Sequence, residues 1–116
     1  MLKQWVVAAA AAALAGCGAT SREEARDKAA DASCDRVEAC NEFGGNNPYA
    51  NRDDCDVKVT AFWNGAWPAE DCDEQVSSDG LDGCLEAIRG YQCGNGADLL
   101  NILANRCTKE RVCSGD

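Results

Sequence analysis

The apolar positions of this chain form one unbroken run, followed by a series of helical stripes. Residues 5–15 are apolar throughout and mostly alanine. Gly16, Gly18, Thr20 and Ser21 end the run abruptly. Ser21-Arg22-Glu23-Glu24 then reads as a capping box, with Ser21 as N-cap and Glu24 reaching back. The helix it opens is expected to run to about Glu42, with Ala25, Ala29, Ala30, Cys34, Val37 and Cys40 along one face. Phe43-Gly44-Gly45-Asn46-Asn47-Pro48 is a breaker cluster. Asn51 suits the N-cap of a second helix, and Asp53 and Asp54 suit the positive end of its dipole. Cys55, Val59, Phe62 and Ala66 repeat at helical spacing there, flanked by Trp63 and Trp67. A strand around Val57 and Val59 is the rival reading, but its alternation is short. Trp67-Pro68 ends the second helix, and residues 69–78 are acidic with room for one turn around Cys72. Asp79 is the expected cap of a third long helix, in which Leu81, Cys84, Leu85 and Ile88 share a face and Gly90 stands at the C-terminal end. Gly94-Asn95-Gly96 is a turn, and Leu99, Leu100, Ile102, Leu103 and Cys107 mark the last main helix. Thr108 suits the cap of a final short turn ending at Cys113. The pattern predicts an all-α domain of about four helices.

Composition adds a difficulty that cysteine resolves. From Cys17 onward, Leu, Ile, Val and Phe supply 14 of 100 residues. A fraction that low, with a high net charge, ordinarily signals disorder. The eight cysteines Cys34, Cys40, Cys55, Cys72, Cys84, Cys93, Cys107 and Cys113 change the balance. Each disulfide adds roughly 2–4 kcal/mol, mainly by restricting the unfolded chain. At about 100° per residue, Cys34 and Cys40 point roughly 120° apart on one helix, so each is expected to staple that helix to a different element. Cys40–Cys55, closing the loop between the first two helices, is the one pairing singled out; the others stay open.

The N-terminal run has its own meaning. Met1-Leu2-Lys3-Gln4 carries one positive charge, and the eleven apolar residues after it suit a signal-peptide core. A membrane-spanning helix needs about 20. Leu14-Ala15-Gly16-Cys17 resembles the lipobox of a bacterial lipoprotein signal peptide. Residues 1–16 are then a cleaved leader, Cys17 is the lipidated first residue, residues 17–21 are a short tether and residues 22–116 are the cysteine-rich domain. Several acyl chains anchor where one is marginal. Gly18, in place of aspartate, resembles the default outer-membrane sorting signal of Gram-negative lipoproteins. Lipidation of Cys17 also accounts for the odd ninth cysteine, and export supplies the oxidising compartment that disulfides require.

The formal charge is −9, and loss of Lys3 with the leader makes it −10 (10 basic, 20 acidic). Such a surface repels nucleic acid. Zinc favours C-x₂₋₄-C pairs, often with histidine, whereas the closest pairs here are C-x₅-C and histidine is absent. A C-x-x-C redox motif is also absent. A calcium loop from Asp71 would place Val76 and Asp82 where glycine and glutamate are needed. With no histidine to serve as base and no nucleophile elbow around any serine, nucleophilic catalysis lacks its parts. No metal, cofactor or enzymatic activity is expected.

The stretches Ser21-Arg22-Glu23-Glu24-Ala25-Arg26, Cys34-Asp35-Arg36-Val37-Glu38-Ala39-Cys40, Tyr49-Ala50-Asn51-Arg52-Asp53-Asp54-Cys55 and Trp67-Pro68-Ala69-Glu70-Asp71-Cys72, with residues 107–113, resemble a family of small cysteine-rich bacterial lipoproteins. Its domain has no assigned function, and its members are labelled natural-product-biosynthesis lipoproteins. The resemblance covers residues 14–116 and implies association with biosynthetic clusters, with no catalytic residues to carry over.

The expected role is a non-catalytic interaction or accessory function in the cell envelope, with the membrane reached through Cys17 and a protein partner. A small apolar-ligand binding module is the alternative, with Phe62, Trp63, Trp67 and Tyr91 lining a pocket. A carboxylate-based hydrolase is the third reading, and it requires two acids facing each other across a cleft.

Overall fold

The computed structural model describes residues 20–72 and 75–115. The leader, the lipobox and Cys17 lie outside the described residues, as do Asp73 and Glu74. Among the described residues the chain forms six helices and no strand: α1 (Arg22–Ala39), α2 (Arg52–Ala66), α3 (Ala69–Cys72), α4 (Ser78–Arg89), α5 (Gly96–Asn105) and α6 (Lys109–Val112). Four of these are the expected longer helices; α3 and α6 are single turns.

Local capping sets most of the boundaries. The Ser21 hydroxyl accepts the Glu24 N–H at 3.1 Å, and the Asn51 side chain accepts the Asp54 N–H at 2.9 Å. Helix α1 stops at Ala39, short of Glu42, because Asn41 adopts a left-handed conformation (φ 56°). The Glu42 N–H then donates to Val37 O at 3.0 Å and the Asn41 N–H to Glu38 O at 2.9 Å. These two bonds make a Schellman motif with asparagine in the left-handed position. Helix α4 is capped by Ser77, two residues before the expected Asp79, since the Ser77 hydroxyl accepts the Gly80 N–H at 3.1 Å. The backbone of Ser77 is fixed from outside the helix, its N–H donating to Val112 O at 2.7 Å.

Helix α1 is the central rod, packed on α2 along one side and on α4 along another. Its buried residues are Ala25, Ala29, Ala30, Ala32 and Cys34. Such small side chains let two neighbouring backbones approach closely, which substitutes for the bulky apolar residues the chain lacks. Helix α2 buries Cys55, Val59 and Trp63. Trp67, just past the helix, is fully buried, and its indole N–H donates to Cys107 O at 2.9 Å.

Charged side chains fix the pairing of α1 with α2. Helix α2 has no basic residue in its last turn, and Arg22 of α1 supplies one. Its Nε donates to Trp67 O at 2.8 Å and its Nη2 to Asn64 O at 2.9 Å. The guanidinium thereby satisfies carbonyls that the helix end leaves open, at the negative pole of the dipole. Arg22→Gln is expected to destabilise the fold by about 1.5–3 kcal/mol, the range for hydrogen bonds to a charged group. A lowered denaturant midpoint with an unchanged slope is the expected reading; an unmoved midpoint would show that the cap is idle. At the other end, Arg52 of α2 reaches Asp31, Asp35 and Glu38 of α1 at 3.0, 2.8 and 3.2 Å, and Asp56 of its own helix at 3.1 Å. These acids, Asp35 first, hold the guanidinium pKa above its ordinary value. Exposed pairs of this kind contribute little energy each, but one cation among four acids selects a single register.

Four disulfides complete the frame: Cys34–Cys55, Cys40–Cys93, Cys72–Cys113 and Cys84–Cys107. The expected Cys40–Cys55 pairing is corrected. Cys55 faces the buried side of α2, opposite Cys34, whereas Cys40 stands past the end of α1 and meets the loop after α4. As expected, Cys34 and Cys40 tie α1 to two different elements.

Candidate functional site

Among the described residues the frame leaves a cleft of about 430 Å3. Helix α1 contributes Ser33, Arg36 and Val37 to its wall, and the 43–49 loop contributes Asn47, Pro48 and Tyr49. Val59, Phe62 and Trp63 come from α2, Ile88 and Tyr91 from the end of α4 and the turn after it, and Leu99, Ile102 and Leu103 from α5. Val59, Trp63, Ile88 and Ile102 are buried and form the floor. Phe62 (48% exposed) and Leu99 (41% exposed) stand at the rim.

Each wall is held by an identifiable contact. The 43–49 loop is closed by the Gly44 N–H donating to Tyr49 O at 2.8 Å, with Phe43 and Tyr49 bridged. The turn after α4 is clamped from α1, where Arg36 Nε and Nη2 both donate to Tyr91 O at 2.8 and 2.6 Å. Cys40–Cys93 ties the same turn to the end of α1. Asn95 caps α5, accepting the Asp98 N–H at 3.1 Å, and Asp98 in turn accepts the Gln92 N–H at 2.9 Å. Trp63 is positioned by its indole N–H, which donates to the Ser33 hydroxyl at 3.3 Å; Ser33 donates onward to Ala29 O at 2.6 Å.

Three of the four aromatics proposed from sequence meet at the cleft: Phe62, Trp63 and Tyr91. Trp67 does not line it. Its ring lies behind Trp63, with centroids 4.6 Å apart, and its one polar atom is spent on Cys107. Phe62 was expected in the core stripe of α2 and is half exposed instead, edge-on to Trp63 at 5.0 Å. Helix α5, the stretch richest in leucine, buries only Ile102 fully; Leu100 is 68% exposed. Tyr49, Glu42 and the α5 face escaped the sequence reading. Tyr49 sits in a breaker loop and Glu42 in a helix end, where periodicity carries no signal.

Charged groups at the cleft are few. Arg36 and Glu42 line it. The second hollow, lined by Asp27, Ala30, Asp31, Asp56 and Thr60, holds facing carboxylates, but Asp31 and Asp56 are bridged by Arg52. Asp54, on the outer side of α2, accepts the Ala50 N–H at 2.9 Å and Lys58 Nζ at 3.0 Å. The backbone bond first, and then the lysine, hold its carboxyl below the usual range. The eight cysteines are all in disulfides, and among the described residues no cluster suits a metal ion.

Residues 34–115 match the model of a family described as of unknown function, DUF6184. The matched span holds all four disulfides and every wall of the cleft except Ser33. No curated protein and no solved structure matches the chain.

Proposed function

We propose that this chain, which belongs to the DUF6184 family of unknown function, is an exported, membrane-tethered binding protein that holds a small apolar ligand in the cleft between α1, α2 and α5. The carrying observation is the cleft itself: an apolar floor, aromatic walls and an open mouth, all pinned by disulfides and hydrogen bonds. Pre-formed, mostly apolar concavities of this size are the usual form of a small-molecule site. The role is non-catalytic, an accessory function in the envelope. The resemblance to natural-product-biosynthesis lipoproteins supports a ligand drawn from secreted small-molecule chemistry.

The tether is Cys17, freed by cleavage after Gly16 and carrying lipid, with the outer membrane as the destination that Gly18 supports. Four disulfides in a small domain favour an oxidising compartment. Growth with a labelled fatty acid is expected to mark the protein, and Cys17→Ala to remove the mark; label that survives the substitution would overturn the anchor.

For the cleft, a neutral aromatic probe such as N-phenylnaphthylamine is expected to bind and to perturb the Trp63 indole resonance. Phe62→Ser should weaken the probe about tenfold, from loss of apolar contact at the rim. Its effect on folding should be small, because Phe62 stands half exposed. Failure of the probe to bind would remove this reading.

A further inference from the structure

We propose that the cleft is selective for a cationic apolar molecule, an amine or quaternary ammonium on an alkyl or aromatic stem. This rests on the cleft being a ligand site and adds the charge of what enters it. Six aromatic residues follow the leader, Phe43, Tyr49, Phe62, Trp63, Trp67 and Tyr91. Four of them, Tyr49, Phe62, Trp63 and Tyr91, line this one cleft. An aromatic face attracts a cation through its quadrupole, and rings gathered around an apolar space are a known way to hold a quaternary ammonium.

The two charged groups of the wall are not equivalent. Arg36 keeps its positive charge, but its Nε and Nη2 both donate to the Tyr91 carbonyl and hold the guanidinium against the turn after α4. Glu42 is partly buried, and its carboxylate takes part in no hydrogen bond or ion pair among the described residues. Its Oε2 reaches across the mouth to the turn after α4, 4.0 Å from where a Cβ on Gly94 would stand. An apolar ligand closing over this carboxylate would strip its water without replacing it, which is costly. An anionic ligand would add repulsion from Glu42 and from a chain of net charge −9. A cation answers both costs: its ammonium pairs with Glu42 against the ring faces, and its stem covers Val59, Ile88 and Ile102.

The test uses three probes with one stem: phenylbutyl-trimethylammonium, phenylbutanol and phenylbutyrate, titrated into the intact oxidised chain with the Trp63 indole resonance as readout. The cation is expected to bind about tenfold tighter than the anion, with the alcohol between them. Glu42→Gln should close the gap between cation and alcohol, the cation losing its charged partner and the alcohol gaining because no carboxylate has to be stripped of water. Raised salt should narrow the gap in the unaltered chain, which keeps the test valid if the variant folds poorly. If cation and alcohol bind alike in the unaltered chain, the charge selectivity is wrong and the apolar site stands. If Glu42→Gln folds and keeps the preference, Glu42 is not its source and the proposal fails. If none of the three binds, the ligand site fails with it.

Discussion

Reducing all four disulfides without denaturant is expected to unfold this chain at room temperature, read as loss of helical ellipticity in the far ultraviolet. The buried side chains larger than alanine or cysteine are Val59, Trp63, Trp67, Val76, Leu81, Leu85, Ile88, Ile102 and Val112, while Cys34, Cys55, Cys72, Cys84, Cys107 and Cys113 fill much of the remaining core. At about 2–4 kcal/mol each, four crosslinks supply roughly 8–16 kcal/mol. That equals the whole stability of a typical domain, about 5–15 kcal/mol. The order of opening is also set. Three bridges are buried, whereas Cys93 is exposed and Cys40 partly so. Thiolate attack needs access to sulfur, so limiting reductant followed by alkylation and mass spectrometry should label Cys40 and Cys93 first. The turn carrying Tyr91 would then keep the Arg36 hydrogen bonds to α1 but lose its covalent tie, and probe affinity in the cleft should fall before helicity does. Helicity that survives full reduction would show that burial alone carries the fold.

Gly80→Ala is expected to be the most damaging single methyl group that can be added to α4. A Cβ at Gly80 would overlap the Arg111 carbonyl oxygen and lie 2.8 Å from its carbon. Backbone atoms of this kind cannot rotate away. Helix α6 would have to move off α4, straining the Ser77–Val112 hydrogen bond and the Cys72–Cys113 bridge beside it. Overpacking costs about 1–3 kcal/mol, and more where nothing can yield. Gly83→Ala in the same helix is the control. Its Cβ would meet only the end of the Arg106 side chain at 3.7 Å, so the gain in helix propensity, about 1 kcal/mol, should appear as stabilisation. Opposite shifts of the denaturant midpoint are expected for the two variants. Equal shifts would mean that the α4–α6 approach is looser than it stands here.

The helices were legible where the determinants are local. Ser21, Asn51 and Thr108 take the cap positions their neighbours in sequence imply, and the side chains of Ser21 and Asn51 make the cap bond within one turn. Helical periodicity continues past the end of α1 because Asn41, unlike glycine, does not announce a left-handed turn. Local sequence favours Asp79 as the α4 cap because the contact that fixes Ser77 comes from Val112, far along the chain. Phe62 shows the same limit in the core. Helical spacing assigns it to the stripe of Cys55 and Val59, but whether a stripe residue is covered depends on which helix lies opposite. Opposite Phe62 the chain leaves open space.

By itself, then, the sequence determined an all-α domain, its four longer helices and a core poor in large apolar residues, because periodicity, capping and composition are properties of neighbours along the chain. The tertiary structure decided which cysteines meet, that Trp67 is sealed while Phe62 stands open, and that Tyr49, Glu42 and α5 close around one cleft. Those outcomes depend on how α2, α4 and α5 are set around the alanine face of α1, and small side chains permit many such arrangements until disulfides and the Arg22, Arg36 and Arg52 contacts select one.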